Sequence, residues 1–192
     1  MADWERRGKV LSVVTQNVDR LHQKAGSEHI IELHGSGYTV KCLSCRYSVS
    51  RYLFQQTLTQ LNEDIITSDL IVQNNQMRPD GDLDIDSDFV RQFRYPSCPR
   101  CEGLLKPDII FFGDNVPKER VNSVYNKLNE SDALLVIGSS LQVYSGYRFV
   151  LSAEELNKPI IVLNIGPTRI DGSDKIVRLS VRAGDILPQI VI

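Results

Sequence analysis

The side chains best suited to acid–base work and polar-ligand binding lie in residues 9–35. A short apolar run at 10–14 breaks off into Thr15-Gln16-Asn17-Val18-Asp19, and His34 follows beside Gly35. A histidine titrates near neutrality and serves as a general base. Its structural alternative is a core histidine with satisfied nitrogens. Asn17 and Asp19 suit an amide or hydroxyl ligand, or else form an Asx turn that caps the next helix. Gly138-Ser139-Ser140 offers main-chain N–H groups and hydroxyls to an anion or a sugar, or is an ordinary strand-to-helix turn. Asn164 pairs with a hydroxyl group or simply holds its own turn.

The chain has 4 cysteines, in two Cys-x-x-Cys pairs, Cys42/Cys45 and Cys98/Cys101. Two such knuckles brought together supply four thiolates for tetrahedral zinc, a closed set that leaves the metal structural. The stretch between them is rich in Asp, Asn and Gln and poor in core residues, so metal binding supplies folding energy to it. A redox pair fits less well, because neither pair sits between a strand and a helix of a βαβ unit. An iron–sulfur cluster has no further support in the sequence. With four thiolates available, His34 is not needed as a ligand. Paired thiols of this kind suit a reducing compartment better than disulfides do. Residues 77–88 place aspartates at alternate positions, but no register gives an EF-hand loop both its glycine and its terminal acid. That stretch is expected to be a solvated loop.

The elements that must position these groups follow from the pattern. Residues 3–9 read as a helix end closed by Gly8, feeding a buried strand at 10–14. Val18, Leu21 and His22 have helical spacing, stopped by Gly26, and 29–34 is a short segment leading to His34. Alternation at 38–50 predicts strand around the first knuckle, and Leu53, Phe54, Leu58 and Leu61 a short helix. Beyond the second knuckle comes a short apolar run at 109–112. Pro117 then opens a helix carrying Val121, Val124, Tyr125 and Leu128. Strands are expected at 133–137, 160–163 and 176–181, with a helix at 147–156 and a closing segment at 186–192. The runs at 134–137 and 160–163 are continuously apolar, which predicts burial on both faces. Strands alternating with helices give an α/β fold with a parallel sheet, whose ligands sit past the carboxyl ends of the strands.

Composition narrows the function. The 192 residues are 42% hydrophobic and 24% charged, with a net charge of -2, which gives no basic surface for nucleic acid. Arg46, Arg51, Arg94 and Arg100 are too mixed with acids to turn the knuckles into a nucleic-acid module. There is no membrane-length apolar run, and the first residues resemble neither a signal nor a transit peptide. Neither G-x-G-x-x-G nor G-x-x-x-x-G-K-[ST] occurs.

Taken together, Thr15-Gln16-Asn17-Val18-Asp19, Glu32-Leu33-His34-Gly35, the two cysteine pairs, Lys106-Pro107-Asp108-Ile109-Ile110-Phe111-Phe112-Gly113-Asp114, Gly138-Ser139-Ser140-Leu141-Gln142-Val143 and Asn164-Ile165-Gly166-Pro167-Thr168 resemble the sirtuin family. The likeness spans essentially the whole chain, in the family's order. It implies an NAD-dependent protein-lysine deacylase, with ADP-ribosyl transfer and lipoamide cleavage as subfamily options. The implied fold is a Rossmann-like parallel sheet, with residues 1–35 and 105–192 as its two segments and 36–104 as a small four-cysteine zinc insert. NAD would lie between the two parts. His34 corresponds to the family's general base, and Asn17 shares its catalytic setting. Gln16, Asn17, Val18 and Asp19 match the nicotinamide-ribose side of the NAD site. Gly138, Ser139 and Ser140 match the wall around the phosphates and ribose. Asn164, Ile165, Gly166 and Ala183 match the adenosine side. The backbone around Ile110, Gly113 and Asp114 matches a strand-like clamp on the acylated lysine. Cys42, Cys45, Cys98 and Cys101 match the zinc ligands. The details at 111–114 and 142–149 look most like the family's mitochondrial class II members, which implies the mitochondrial matrix.

One departure qualifies this expectation. The family's Gly-Ala-Gly-x-Ser segment for the pyrophosphate does not occur, so the sheet is expected to be incomplete on its N-terminal side, with an apolar face or edge in water. The chain reads as N-terminally truncated and weakly active. The alternative function is a non-catalytic, zinc-stabilised protein-interaction form.

Overall fold

The computed structural model describes residues 1–66 and 87–190, which cluster into two units, Met1–Gly35 with Ile110–Ile192, and Ser36–Ile109. The calcium and loop readings of 77–86 lie outside the described residues. So do the last two positions of the closing segment.

The first unit opens with helix α1 (Ala2–Arg6), whose Trp4 is buried and whose chain turns at Gly8 with φ +69. Glu5 ties α1 to the chain entering β2. Its carboxylate accepts from the main-chain N–H groups of Glu28 (3.0 Å) and His29 (2.6 Å). The His29 main-chain bond, opposed by burial and reinforced by the Glu28 N–H, holds this carboxyl at about 2. Strand β1 (Val13–Thr15) follows, then α2 (Leu21–Lys24), ended by Gly26 at φ +90, and β2 (Ile30–Glu32). β1 lies further along the chain than the apolar run at 10–14 suggests. The N–H of Val10 is tied back to the Trp4 carbonyl, and parallel pairing with β2 begins only at Val13 opposite Ile30.

The second unit is built on β3 (Gly35–Cys42), paired antiparallel with β4 (Ser48–Ser50) across the first knuckle. Ser50 caps α3 (Arg51–Leu61) by accepting from the Leu53 N–H at 3.1 Å, and α4 (Glu63–Ile66) follows. Asn62 carries no mark in the sequence pattern. It is fully buried, donates to the carbonyls of Leu58 and Arg94, and accepts from the Arg94 N–H at 2.7 Å. That staple joins α3 to the chain that follows α5 (Ser87–Gln92). β5 (Leu105–Ile109) completes a three-stranded sheet in the order β4-β3-β5.

Past β5 the first unit resumes. Of the apolar run at 109–112 only Ile109 belongs to β5, and Phe112 is 100% exposed. The residues leave the sheet because Phe111 and Asp114 close a turn on each other around Gly113, at φ +90. Then come α6 (Lys118–Glu130), β6 (Leu134–Ile137), α7 (Tyr144–Glu155), β7 (Ile160–Leu163), β8 (Ile176–Leu179) and α8 (Ala183–Ile186), followed by a short 3-10 turn at Leu187–Gln189. The core lies where Val121, Val124 and Leu128 of α6 and Phe149, Val150 and Ala153 of α7 meet Ile160 and Val162. Tyr125 and Phe149 pack edge to face at 5.1 Å.

The α/β class with parallel strands is as expected, with two corrections. The parallel strands form two sheets, β1-β2 and β6-β7-β8, and not one. Burial on both faces holds for β7 but not for β6, which is an edge strand. In register, Leu135, Ile161 and Val177 share one face, as do Ile137, Leu163 and Leu179. That face is open at Leu135, Val177 and Leu179, with exposures of 38%, 60% and 40%. It is the apolar face in water that the sequence led us to expect. Among the described residues, no helix is long and apolar enough to cross a membrane.

Candidate functional site

His34 lies two residues past the end of β2, half-buried. Nε2 lies 2.8 Å from Ser145 Oγ, and the Gln16 backbone acts on the ring in the sense that favours its protonated form. A backbone group that favours the protonated ring is an accepting carbonyl, and with Nε2 turned to the Ser145 hydroxyl this arrangement favours the tautomer with its proton on Nδ1 and a basic Nε2. Burial, with help from the Arg120 charge, pushes the His34 pKa below its ordinary 6.5, against the opposing Gln16 bond. The ring is therefore neutral, and competent as a base, at neutral pH and somewhat below it.

Arg120 stands on α6 and donates to the Leu33 carbonyl at 3.3 Å. Replacing it (Arg120→Gln) removes a cation and is expected to raise the His34 pKa. The check is a nuclear magnetic resonance titration of His34, whose midpoint should move to higher pH; a downward move contradicts the assignment.

Gln16 connects His34 to the next strand end. Its side-chain amide donates to Ser139 Oγ at 3.2 Å. It also fills the space in front of Gly146, where a Cβ would come within 3.1 Å of Gln16 Nε2. Glycine there lets the first turn of α7 approach the end of β1. Gly138-Ser139-Ser140-Leu141 leaves β6 with positive φ at Gly138 (+59) and at Leu141 (+58). A left-handed leucine costs roughly 1–2 kcal/mol, and here it is held by its own burial and by the Leu141 N–H bond to Ser139 Oγ. Strain of this kind concentrates at binding turns. Ser140 is exposed, and its carbonyl accepts from the Arg169 N–H.

Asn17 is exposed next to this turn's partner Gln16. Asp19 realises the capping alternative: its Oδ1 accepts from the Leu21 N–H at 3.0 Å. Val18, expected in the helix, lies before it, because Arg20 takes a left-handed conformation and α2 starts at Leu21. The carboxyl ends of β6, β7 and β8 are stitched in sequence by Gly138 N–H to Leu163 and Asn164 N–H to Leu179. Asn164 also donates to the Gly166 carbonyl, so it holds its own turn, while Ile165 is 61% exposed. Ala183 is half-buried at the start of α8. Ile110 donates its main-chain N–H to the His34 carbonyl at 2.9 Å, and Asp114 donates to Phe111. The structure thus brings Gln16, His34, Ser139 and Ile110 together. Ser145 and Arg120 are the residues that sequence reasoning missed.

The four cysteines gather in the second unit, their sulfurs all within 4.8 Å of one another. The Cys42–Cys101 and Cys45–Cys98 sulfur separations are 3.5 and 3.7 Å. Tetrahedral zinc at ~2.3 Å from sulfur needs separations of about 3.8 Å. Main-chain N–H groups point at each sulfur: Ser44 to Cys42, Tyr47 to Cys45, Arg100 to Cys98, and Gly103 to Cys101. Such donors favour thiolates. Burial raises the Cys42 thiol, but the Ser44 and Cys45 N–H bonds outweigh it and bring it down to about 7. The donor set fits zinc, with no position left for His34. At Gly103 a Cβ would sit 2.6 Å from Ser44 Oγ and 3.2 Å from Cys42 Sγ. Gly103→Ala is therefore expected to spread the knuckles and weaken zinc at least tenfold, read by competition with a chromophoric chelator. Unchanged affinity would show that the knuckle tolerates the methyl group. Two shallow concavities on α3 and the start of β3 contain none of the candidate residues.

Comparison with known proteins gives this geometry its context. Residues 1–145 match the model of the Sir2 family. The chain is 47% identical over 190 residues to the NAD-dependent protein deacylase Sirt4 of Drosophila melanogaster, covering 99% of this chain and 59% of that one. It is 45% identical over 190 residues to the mitochondrial NAD-dependent protein lipoamidase sirtuin-4 of Homo sapiens, again covering 99% and 59%. A solved structure described as Sir2-p53 peptide-NAD+ superposes with a TM-score of 0.72 at 26% identity, covering 98% of this chain and 65% of that one. A second, described as the structural basis for the mechanism and regulation of Sir2 enzymes, gives 0.69 at 30% identity, with 99% and 64% covered. The chain spans about three fifths of the length of the curated relatives it matches, 59% of the Drosophila and human proteins.

Proposed function

This chain belongs to the Sir2 family, and from that premise we propose that it carries the reaction centre of an NAD-dependent protein-lysine deacylase. The observation that carries this reading is His34 just past β2, half-buried with Nε2 2.8 Å from Ser145 Oγ and with burial holding its pKa below 6.5. NAD, when bound, supplies an electrophilic ribose carbon and nicotinamide as the leaving group. His34 then accepts a proton at Nε2 from a ribose hydroxyl. Gln16, Asn17, Val18 and Asp19 hold the nicotinamide ribose, with Asn17 orienting the reacting group. Gly138, Ser139 and Ser140 face the phosphates, and Asn164, Ile165, Gly166 and Ala183 the adenosine. This donor set of amides, hydroxyls and turn backbone suits a ligand rich in hydroxyls and phosphate oxygens. The backbone around Ile110, Gly113 and Asp114 aligns the acylated lysine by strand addition. Cys42, Cys45, Cys98 and Cys101 hold zinc as a structural metal, in a small domain set into a Rossmann-like one. The mitochondrial names of the bovine and human relatives support a place in the mitochondrial matrix.

The test is NAD calorimetry on the zinc-loaded protein with an acyl-lysine peptide, followed by nicotinamide release. Acyl series including lipoyl-lysine, and labelled NAD for ADP-ribosyl transfer, separate the options within the family. The open face at Leu135, Val177 and Leu179 favours a second reading, a non-catalytic partner-binding form. A folded, zinc-loaded chain that binds no NAD supports that reading against the first.

A further inference from the structure

Ser145 stands in the first turn of α7, where a serine ordinarily bonds the N–H groups of its own helix. Here its hydroxyl lies 2.8 Å from His34 Nε2, a residue 111 positions away in the chain. The Gln16 backbone also acts on the imidazole, favouring its protonated form. The ring thus meets both the chain leaving β1 and the start of α7. The two segments are joined to each other. Gly146, next to Ser145, packs against the Gln16 side chain, and that side chain donates to Ser139. No side-chain cap at Val143 competes for this turn.

We propose that Ser145 is a positioning residue for His34: its hydroxyl donates to Nε2, fixes the plane and tautomer of the ring, and gives way to the ligand hydroxyl that His34 deprotonates. The proposal rests on the deacylase reading for its last step only. The other charged group acting on the ring is Arg120 of α6, and it is left in place in every variant below.

The experiment compares Ser145→Ala, Ser145→Val and Ser145→Thr with the parent chain, each zinc-loaded and checked for a cooperative melt. Threonine keeps the hydroxyl, and valine has nearly the same shape without it. Nitrogen-15 spectra of His34 are recorded through a pH titration, and nicotinamide release is measured as kcat and KM for NAD. The parent and Ser145→Thr are expected to share one Nδ1–H signature with a hydrogen-bonded Nε2. Ser145→Ala and Ser145→Val should lose that Nε2 signature and shift the His34 midpoint. Their kcat should fall by roughly three- to tenfold, the worth of one ordinary hydrogen bond, with little change in KM. Identical His34 spectra in all four proteins overturn the proposal, whatever the rates. So does a kcat that falls equally in the threonine and valine variants. A chain that releases no nicotinamide in any form defeats the deacylase reading, while the spectra still decide the role of Ser145.

Discussion

Replacing His34 with alanine is expected to lower nicotinamide release by about 10²–10⁴-fold, the usual worth of a positioned general base, while NAD binding changes little. The expectation rests on geometry before it rests on family. Nε2 is turned toward the Ser145 hydroxyl at 2.8 Å, and the Gln16 backbone favours a proton on the other side of the ring. Burial and the Arg120 charge lower the His34 pKa, so the neutral, competent form persists below the ordinary 6.5. The rate of the parent chain should therefore hold as pH falls to that value and decline only beneath it. The sign is fixed by chemistry: protonation at Nε2 consumes the base, and a depressed pKa moves that loss to lower pH. Zinc-loaded protein, an acyl-lysine peptide and a nicotinamide assay across pH suffice as the measurement. Equal rates for the parent chain and His34→Ala would remove His34 from the reaction. A decline centred well above 6.5 would mean that another group limits the acid side.

Why the base was legible and its partner was not is a matter of range. His34 stands out by residue type at the end of an apolar segment, and the cysteines by spacing, so both were readable locally. The helix after Pro117 was readable because Val121, Val124 and Leu128 recur on one face and are all buried. Ser145 was hidden by a boundary. The helix was expected at 147–156, yet α7 starts at Tyr144, and Gly146 in its first turn packs against Gln16. Arg120 and Asn62 were hidden for a second reason. Each acts on residues far away in sequence, Leu33 and Arg94, and a long-range polar contact leaves no periodic trace. At 109–112 hydrophobicity alone does not fix burial. There the reciprocal bonds between Phe111 and Asp114 decide the backbone, and Phe112 is left in water.

Chelating the metal is expected to unfold the cysteine-bearing unit, the largest effect on stability that any single change should have. Among its described residues, the buried apolar side chains other than cysteine are Val40, Leu58 and Ile65. At ~1.5–3 kcal/mol each, their burial contributes on the order of 5–9 kcal/mol. Structural zinc contributes roughly 10–16 kcal/mol at neutral pH in comparable four-ligand sites. The metal term is the larger, so the unit should not keep its fold on packing and the Asn62 staple alone. Without metal, four sulfurs within 4.8 Å share protons, with Cys42 at about 7 and Cys101, despite the Gly103 N–H, pushed up to about 12 by its neighbouring thiols. Zinc replaces those protons, so its affinity should fall steeply as pH drops below 7. Limited proteolysis of the intact chain with and without a chelator reads the outcome directly: new cuts within residues 36–66 and 87–109, absent when zinc is restored. Cys98→Ser should give the same cuts with zinc present, because Cys98 is almost fully buried and a serine oxygen there replaces a thiolate with a poor ligand. Protection that survives both chelation and Cys98→Ser would show that the hydrogen-bonded knuckles hold the unit without a metal.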